Sequence, residues 1–528
     1  MRMGKLLSGL HAAESGRTYR TAKIAEAALL AAAISAAPFM SFALPAQAAE
    51  ASAGAETAAA ASEVTIRVCN WEEYIDLGDW DEDEVIDLES GNVFGENSMV
   101  DDFEEWYYDT YGIRVKVEYS TFGTNEDLYN MLTLGDVYDI VCPSEYMIMK
   151  LMSEDRLVPL SDAFFDETDE NNYYIKGVSP YIRNMFETHD INGETWDKYA
   201  AGYMWGITGI VYNPDEVTEE EASTWTILHN PKFRRRITIK DNVRDTYFAA
   251  VGSMKSELLT SEEFCSDPDY ENRLMEEMND VSPETIDQIQ DYLQQVKDNV
   301  YSFETDSGKA DMITGKVVAN YQWSGDAVYT MDQAEEDDYY LNFAVPVEST
   351  DIYFDGWVML KCGVEGDAAK QHACEAFINF CSRPDNAVRN MYYIGYTSVI
   401  SGGDDPTILE YIDWTFGAEE DEEDTVEHNV GYFFTGSFDD PENENYSITA
   451  PAEQVNRQLG AQYPSADSIA RSCIMVYFDA DASTRINQMW INVRCCNINN
   501  VPLPLLILVL AGLAAGIGFL VVQKRKNA

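Results

Sequence analysis

The strongest constraint on the fold is the alternation of strand-like and helix-like segments along the body of the chain. Strand-forming residues dominate 64–69, 113–119 and 138–142, and helix-like segments at 100–111 and 126–134 separate them. Further along, the pattern predicts strands at 207–212, 317–322, 341–345 and 356–361, and helices at 285–300 and 368–381. Alternation of this kind favours an α/β architecture with a largely parallel sheet.

Both ends of the chain carry hydrophobic segments that predict export and anchoring. Residues 1–48 have a basic start, an apolar run and the small-residue pattern Ala46-Gln47-Ala48, which is typical of a cleaved signal peptide. Residues 49–63 predict a flexible linker. Residues 503–523 contain an uncharged stretch long enough to span a bilayer, and the basic residues of 524–528 predict a cytoplasmic tail. The alternatives are a first membrane anchor at the N-terminal end and a buried helix at the C-terminal end.

If both predictions hold, the body of the protein lies on the extracytoplasmic face of the cell membrane. In a cell with an outer membrane, that location is the periplasmic space. A single C-terminal helix would anchor the protein there.

The charge balance excludes some partners. The 528 residues include 93 Asp and Glu against 35 Lys and Arg, giving a formal net charge of −58. Nucleic acids and anionic lipid head groups require clustered basic residues, so neither is expected as a partner. Hydrophobic residues make up 46% of the chain, which is enough for more than one folded core.

The sequence lacks the motifs of common enzymes and metal sites. It contains no G-x-x-x-x-G-K-[ST], G-x-S-x-G or H-E-x-x-H pattern, and its nine cysteines include no C-x-x-C. The acidic stretch 79–89 departs from a calcium loop because Glu84 occupies the position that needs Gly. We therefore predict a protein that is not an enzyme and has no cofactor or metal.

Aromatic and acidic residues cluster where predicted strands meet loops. They occur at Asn70–Tyr74, Pro143–Tyr146, Trp323 and Tyr353–Asp355. In α/β sheets, ligands collect at the carboxyl ends of the strands. Aromatic faces attract ammonium groups, and carboxylates neutralise buried positive charge. The cluster therefore points to an organic cation as ligand, although core packing explains any one of these rings equally well.

Residues 64 to about 400 resemble the periplasmic spermidine/putrescine-binding proteins, which are the substrate-binding components of polyamine ABC transporters. The resemblance rests on eight stretches in order: V-C-N-W-E-E-Y (68–74), Y-S-T-F-G-T-N-E-D-L-Y (119–129), Y-D-I-V-C-P-S-E-Y (138–146), Y-M-W-G-I-T-G-I-V-Y-N (203–213), K-D-N-V-R-D-T-Y-F (240–248), Q-W-S-G-D-A (322–327), F-I-N-F-C-S-R-P-D (377–385) and I-G-Y-T-S (394–398).

The resemblance implies a two-lobed periplasmic-binding-protein fold that closes on its ligand about a hinge. Lobe 1 would comprise 64–205 and 346–401, and lobe 2 would comprise 206–345 and 402–497. The last segment departs from the usual form of the family, as does the C-terminal anchor. Its role is not explained by the resemblance.

The resemblance also implies roles for nine residues. Trp71 and Tyr74 would wall the amine, Ser144 and Tyr146 would be further ligand residues, and Asp245 would hold a terminal ammonium. Trp323 and Tyr353 would sandwich the methylene stem, Asp355 would bind an amine nitrogen, and Tyr396 would close the pocket. Asn242 stands where the family often has a carboxylate, and Tyr353 stands where it commonly has Trp. These departures leave the choice between putrescine and spermidine open.

The sequence thus predicts a membrane-anchored binding protein that delivers polyamines to an ABC permease served by a separate ATPase. Two alternatives remain. One is a binding protein of the same fold for another small cation, such as ferric iron or thiamine. The other is an acidic surface protein for adhesion or interaction.

Overall fold

The computed structural model describes residues 63–81, 84–419 and 421–495, which form two compact units. Unit 1 contains the described residues up to Gly209, together with Trp323–Phe343 and Asp351–Val476. Unit 2 contains Ile210–Gln322, Ala344–Thr350 and the described residues from Tyr477 onward. The predicted signal peptide (1–48), most of the linker (49–63), the membrane segment (503–523) and the tail (524–528) lie outside the described residues.

Each of the seven predicted strand segments overlaps a strand of the structure, and the other strands were not predicted. In chain order they are β1 (Glu63–Trp71), β2 (Ile86–Asp87), β3 (Asn92–Val93), β4 (Arg114–Phe122), β5 (Ile140–Val141), β6 (Leu157–Val158), β7 (Asp190–Ile191), β8 (Glu194–Thr195), β9 (Ala200–Tyr212), β10 (Ile237–Lys240), β11 (Ser302–Glu304), β12 (Ala319–Trp323), β13 (Asn342–Ala344), β14 (Thr350–Leu360), β15 (Thr397–Ser398), β16 (Thr425–Asn429), β17 (Ser447–Pro451) and β18 (Ser472–Cys473).

The α-helices connect these strands. In chain order they are α1 (Met99–Tyr111), α2 (Asn125–Leu134), α3 (Glu145–Ser153), α4 (Tyr173–Gly177), α5 (Pro180–Thr188), α6 (Glu219–Ala222), α7 (Val243–Met254), α8 (Ser256–Leu259), α9 (Glu262–Cys265), α10 (Tyr270–Met278), α11 (Pro283–Asn299), α12 (Ser307–Ile313), α13 (Ser324–Glu335), α14 (Lys361–Val364), α15 (Ala368–Cys381), α16 (Pro384–Ile394), α17 (Thr407–Phe416), α18 (Gly431–Thr435), α19 (Gln458–Gln462), α20 (Ala466–Ala470) and α21 (Ala480–Arg494). Short 3-10 turns occupy Trp196–Lys198, Trp225–His229, Pro231–Phe233, Pro441–Tyr446 and Ala452–Asn456.

The sheet of unit 1 mixes parallel and antiparallel strands. Strand β1 lies between β4 and β5 and is parallel to both, so the three strands end at one edge. Strand β14 pairs antiparallel with β5 and with β9. The prediction of a largely parallel sheet is therefore only partly right for this unit. Fully buried strands read as continuous apolar runs in either direction, so their sequences do not reveal orientation.

Helices α1 and α15 cover one face of this sheet through aromatic packing. Phe103 of α1 lies edge-on to Phe377 of α15, with ring centroids 5.1 Å apart. Asp367 caps α15 by accepting hydrogen bonds from the amides of Ala369 and Lys370. The structure places α15 at the bounds predicted from the sequence, Ala368–Cys381. The Asp367 cap at its start and Pro384 shortly after its end explain why this prediction was accurate.

The segment after residue 401 packs on unit 1 through aromatic rings. Phe433 of α18 stacks on Trp205 of β9 with centroids 5.8 Å apart, and Tyr432 meets Tyr181 of α5 edge-on at 5.4 Å. Residues 402–476 therefore fall in unit 1, whereas the predicted lobe boundaries assign 402–497 to the second lobe. The lobe boundaries themselves stay a prediction.

Unit 2 has a small parallel sheet in which β10 lies between β11 and β12. Helix α11 matches the predicted helix 285–300. It buries Ile289, Leu293 and Val296, whose helical spacing gives the predicted pattern. Glu348 is fully buried in the connecting segment Ala344–Thr350, where it accepts hydrogen bonds from Ser256 Oγ at 2.7 Å and from the Trp225 amide at 3.2 Å. These donors compensate for the loss of water around the carboxylate.

None of the helices in the described part of the chain is both long enough and apolar enough to cross a bilayer. The predicted anchor at 503–523 is outside that part.

A buried ion pair in unit 1 holds the loop that follows β1. The guanidinium of Arg389, on α16, binds Asp76 through Nε at 2.8 Å and Asp102 through Nη1 at 2.6 Å. Asp76 also accepts hydrogen bonds from the Gly78 amide and the Trp80 indole. Because the Asp76 side chain is 0% exposed, the loop depends on Arg389 to neutralise its charge.

We predict that Arg389→Met destabilises the protein strongly. Removing the cation leaves Asp76 buried and unpaired, which costs about 3–5 kcal/mol. Urea unfolding followed by circular dichroism measures this change. Arg383→Met is the matched control, because Arg383 starts the same helix but pairs with the half-exposed Asp385. The control should cost less than about 1 kcal/mol. Equal losses in the two variants would contradict the account.

Candidate functional site

Asp355 is the centre of the candidate site in unit 1. It lies on β14, where the sequence had predicted a loop before a strand beginning at Gly356. Its carboxylate is 5% exposed and accepts hydrogen bonds from Tyr74 Oη and Ser144 Oγ, each at 2.7 Å. Two charged hydrogen bonds fix the carboxylate in a place from which most water is excluded.

The fold explains why these three residues meet. Tyr74 follows β1 and Ser144 follows β5, and both parallel strands end at the same edge of the sheet. Strand β14 runs antiparallel to β5, so its beginning reaches that edge too. An isolated β-bridge joins Ser144 to Asp355 directly. The pairing of β14 with β9 shifts register between Asp355 and Gly356, and such bulges redirect side chains.

Tyrosine rings surround the Asp355 carboxylate. The Tyr74 ring meets Tyr396 edge-on with centroids 4.8 Å apart, and it meets Tyr203 edge-on at 5.6 Å. The Tyr353 ring lies 6.4 Å from Tyr396. Edge-to-face packing exposes the negative faces of some rings, which can attract a cation.

Two glycines allow this close packing. A Cβ atom on Gly206 would lie 2.5 Å from Tyr353 Oη and 2.3 Å from Ser324 Oγ. A Cβ atom on Gly325 would lie only 2.1 Å from the Tyr396 ring. Both positions therefore exclude side chains, and the tyrosines rest directly on the backbone.

Asp326 is a candidate that the sequence analysis did not assign, although it falls within the Q-W-S-G-D-A stretch. It is the third residue of α13, it is 8% exposed, and it accepts a 3.2 Å hydrogen bond from Tyr396 Oη. A carboxylate in the first turn of a helix after a strand is a signal that could have identified it. Unit 1 therefore has two buried Asp–Tyr pairs, and the rings of Tyr74 and Tyr396 connect them.

The remaining predicted residues of unit 1 lie at strand ends or at the start of a following helix: Trp71 ends β1, Tyr146 is the second residue of α3, and Trp323 ends β12. Trp71 is half-buried against Phe122, with ring centroids 4.7 Å apart, and its indole Nε1 is buried without a hydrogen-bond partner among the described residues. Tyr146 Oη donates to Glu126 at 3.3 Å. Trp323 is half-buried at the end of β12, immediately before α13. The predicted sandwich of Trp323 and Tyr353 around the methylene stem stays a prediction.

Asp245 belongs to unit 2. It is 5% exposed in the first turn of α7. Asn242 is the N-cap of this helix, and its side-chain oxygen accepts from the amides of Arg244 at 2.7 Å and Asp245 at 3.3 Å. The residue that replaces the family's carboxylate thus caps the helix that carries Asp245.

Burial sets the protonation of the groups in unit 1. Burial raises the pKa of Asp355 to about 6, although the hydrogen bonds from Tyr74 and Ser144 oppose this rise. Burial also raises the pKa of Tyr74, Tyr353 and Tyr396 well above that of an ordinary tyrosine, and the nearby carboxylates add to the effect. The three hydroxyls therefore stay protonated at neutral pH and can donate hydrogen bonds to the carboxylates.

No metal ligand set accompanies these residues. In residues 63–81, 84–419 and 421–495, no group of three or more His, Cys, Asp and Glu side chains could hold a metal ion. What the site offers is carboxylates, hydroxyls and aromatic rings, a combination suited to an organic cation.

We predict that Asp355 makes stability depend on pH. Its folded pKa of about 6 lies above the ordinary 3.8, so its contribution is full below about pH 4 and is lost as the pH rises through about 6. This rise corresponds to about 3 kcal/mol at most. Asp355→Asn should therefore gain stability relative to the unsubstituted protein between pH 4 and pH 7 in denaturant titrations. A difference that does not change with pH would contradict the prediction.

The sequence of the chain is similar to those of known periplasmic binding proteins. The chain is 22% identical over 291 residues to spermidine/putrescine-binding periplasmic protein 1 of Haemophilus influenzae, covering 53% of this chain and 68% of that protein. It is also 22% identical over 284 residues to the putrescine-binding periplasmic protein PotF of Escherichia coli, covering 51% of this chain and 67% of that protein.

Solved structures show the same fold. The spermidine/putrescine ABC transporter substrate-binding protein PotD of Streptococcus pneumoniae aligns with a TM-score of 0.50 and 22% identity, covering 82% of this chain and 98% of that chain. The TpPotD lipoprotein of Treponema pallidum aligns with a TM-score of 0.52 and 17% identity, covering 81% and 99%. These alignments confirm the predicted α/β periplasmic-binding-protein fold.

A family match covers more than half of the sequence. Residues 98–408 match the family described as bacterial extracellular solute-binding protein. The predicted resemblance and the prediction that the protein is not an enzyme are both confirmed by these relationships. The chain belongs to the bacterial extracellular solute-binding proteins.

Proposed function

We propose that this protein binds a polyamine, putrescine or spermidine, outside the cell membrane and delivers it to an ABC permease served by a separate ATPase. The observation that supports this proposal most directly is the buried Asp355 carboxylate, held by the hydroxyls of Tyr74 and Ser144. Burial raises the pKa of this carboxylate because desolvation disfavours its charged form, and a cationic partner would compensate for that desolvation. An ammonium group would provide that partner.

The acceptor capacity of Asp355 leaves room for this ligand. An ionised carboxylate has about four lone-pair sites, and the two hydroxyls use one on each oxygen. An alkylammonium has three N–H donors and could bind one of the remaining sites. Asp326 offers a second carboxylate in the same unit, which suits a ligand with more than one ammonium group. We further propose that Asp245 holds a terminal ammonium, as the resemblance implies.

The rings and the unpaired indole suit the rest of a polyamine. Its methylene chain is apolar and gains from contact with aromatic faces, as predicted for Trp323 and Tyr353. A buried N–H group with no hydrogen-bond partner among the described residues, such as Trp71 Nε1, is uncommon in native proteins. Such a group often marks a place for a ligand or water. The names of the Haemophilus and Escherichia relatives, which are polyamine-binding proteins, support the same ligand class.

The proposed location follows from the sequence of the two ends. A signal peptide at 1–48 would export the chain, and a helix at 503–523 would keep it at the membrane close to the permease. Anchoring would retain the protein in a cell that has no outer membrane.

We predict that Asp355→Asn and Asp245→Asn each weaken polyamine binding at least about tenfold. A hydrogen bond to a charged group is worth about 1.5–3 kcal/mol, and leaving a buried ammonium unpaired costs more. Calorimetric titration with putrescine and with spermidine at pH 7.5 measures the change.

Asp367→Asn is the matched control for these variants. It removes the same charge from unit 1, but Asn can replace Asp as the cap of α15. Its affinity should equal that of the unsubstituted protein. If the control lost as much affinity as the two variants, the bulk negative charge, and not the positioned carboxylates, would explain binding. Unchanged affinity in both site variants would contradict the assignment of the site.

A further inference from the structure

The turn that carries Tyr396 is held on both sides by one residue, Gln462. The side-chain Nε2 of Gln462 donates to the carbonyl of Gly395 at 2.9 Å, and its backbone carbonyl accepts from Thr397 Oγ1 at 3.1 Å. Gly395 and Thr397 are the two neighbours of Tyr396 in the chain. We propose that Gln462 is a positioning residue for Tyr396, and that the segment 402–476 acts as a brace for the ligand site.

The turn needs an external support because of its shape. Helix α16 ends at Gly395, whose φ of +78° is left-handed, and the chain then passes Tyr396 before β15 begins at Thr397. Strand β15 contains only two residues, which pair with Trp205 and Met204 of β9. Two residues of pairing leave a turn with little cooperative support, so the hydrogen bonds of Gln462 add a large share of its local order.

Gln462 is well placed to transmit rigidity. It is 6% exposed and ends α19, whose first residue, Gln458, donates to Asp332 of α13 at 3.0 Å. The preceding Arg457 is 3% exposed and forms an ion pair with Glu335 at the end of α13. The short helix α19 therefore links the far end of α13 with the turn of Tyr396.

This linkage connects the two walls of the candidate site within unit 1. The first turn of α13 carries Asp326, which accepts the hydrogen bond of Tyr396 Oη. The Tyr396 ring lies on Gly325 in the same turn and against the Tyr74 ring. If the turn moved, the Tyr396 hydroxyl would leave Asp326 and its ring would lose contact with Tyr74.

The rest of the segment keeps α19 in place. His428 Nε2 lies 2.9 Å from the carbonyl of Tyr463, which directly follows α19. Tyr432 Oη donates to the carbonyl of Pro464 at 3.1 Å. The segment after residue 401, for which the resemblance gives no role, thus gains one: it fixes an aromatic side chain of the binding site. This inference rests on the proposed function for its effect on affinity, but its structural part is independent of any ligand.

The test uses Gln462→Met, which keeps the side-chain volume and the backbone carbonyl but removes the amide donor. Gln371→Met is the matched control, because the side-chain amide of Gln371 also donates to a backbone carbonyl, that of Pro159 at 3.1 Å, but lies on α15, outside the segment 402–476. Thr397→Val removes the other hydrogen bond with little change of shape. Hydrogen–deuterium exchange of the amides in 394–398 and calorimetric titration with putrescine are measured for all three variants.

We expect exchange in 394–398 to speed up at least about fivefold in Gln462→Met and in Thr397→Val, but not in Gln371→Met. We also expect putrescine affinity to fall about three- to tenfold in Gln462→Met and in Thr397→Val. This loss should shrink when Tyr396→Phe is added, because the hydroxyl that the brace positions is then absent.

Two outcomes would overturn the inference: unchanged exchange in Gln462→Met, or an affinity loss that persists in full beside Tyr396→Phe. If Gln462→Met does not fold, Thr397→Val alone decides between the same outcomes. Failure of the unsubstituted protein to bind any polyamine would contradict the proposed function instead, and the exchange comparison would still decide whether the brace exists.

Discussion

The burial of the Asp355 carboxylate is the constraint on which the candidate site depends. A charge that loses water must gain donors, and here these are the hydroxyls of Tyr74 and Ser144. They come from the loop after β1 and from the start of α3, more than 200 residues before Asp355 in the chain. Their meeting requires β1 and β5 to be parallel and β14 to run the opposite way. The sheet of unit 1 can therefore be viewed as a device that brings three distant side chains to one edge.

The tyrosines extend this principle. Burial keeps their hydroxyls protonated, so each one donates to a carboxylate or shares a hydrogen bond with a serine. The result is a network of carboxylates and hydroxyls beside aromatic rings. The Asp355 carboxylate accepts from two neutral hydroxyls, so the network keeps a negative charge when Asp355 is ionised. A cationic solute would complete it.

Much of the fold could be predicted from the sequence because its helices and strands have strong local signals. Helix α15 has an Asp cap and is followed by Pro384, and β1 contains several strong strand formers. The orientation of β14 could not be predicted, because a strand buried on both faces has no polar side to show its direction. Strand β14 also begins earlier than predicted, so Tyr353 and Asp355 lie within it and not in a loop before it.

The candidate site could be predicted only in part. Tyr74, Ser144, Tyr353, Asp355 and Tyr396 lie together in unit 1, and the family resemblance implied roles for all of them. Asp326 lies within a family motif, but its role could not be predicted. Its contact with Tyr396 depends on how α13 packs on the turn after α16. The hydrogen bonds of Gln462 to that turn could not be predicted from the sequence. Gln462 and Tyr396 are 66 positions apart and share no motif.

Proton release on ligand binding tests the central claim most directly, because it reports on the Asp355 carboxyl itself. Calorimetric titration with putrescine is repeated in buffers of different ionisation enthalpy at pH 6 and at pH 8. At pH 6 about half of the Asp355 carboxyls are protonated, so binding should release about half a proton per ligand, and at pH 8 almost none. Asp355→Asn should abolish the release at pH 6. Tight binding of putrescine with no proton release at pH 6 would contradict the account.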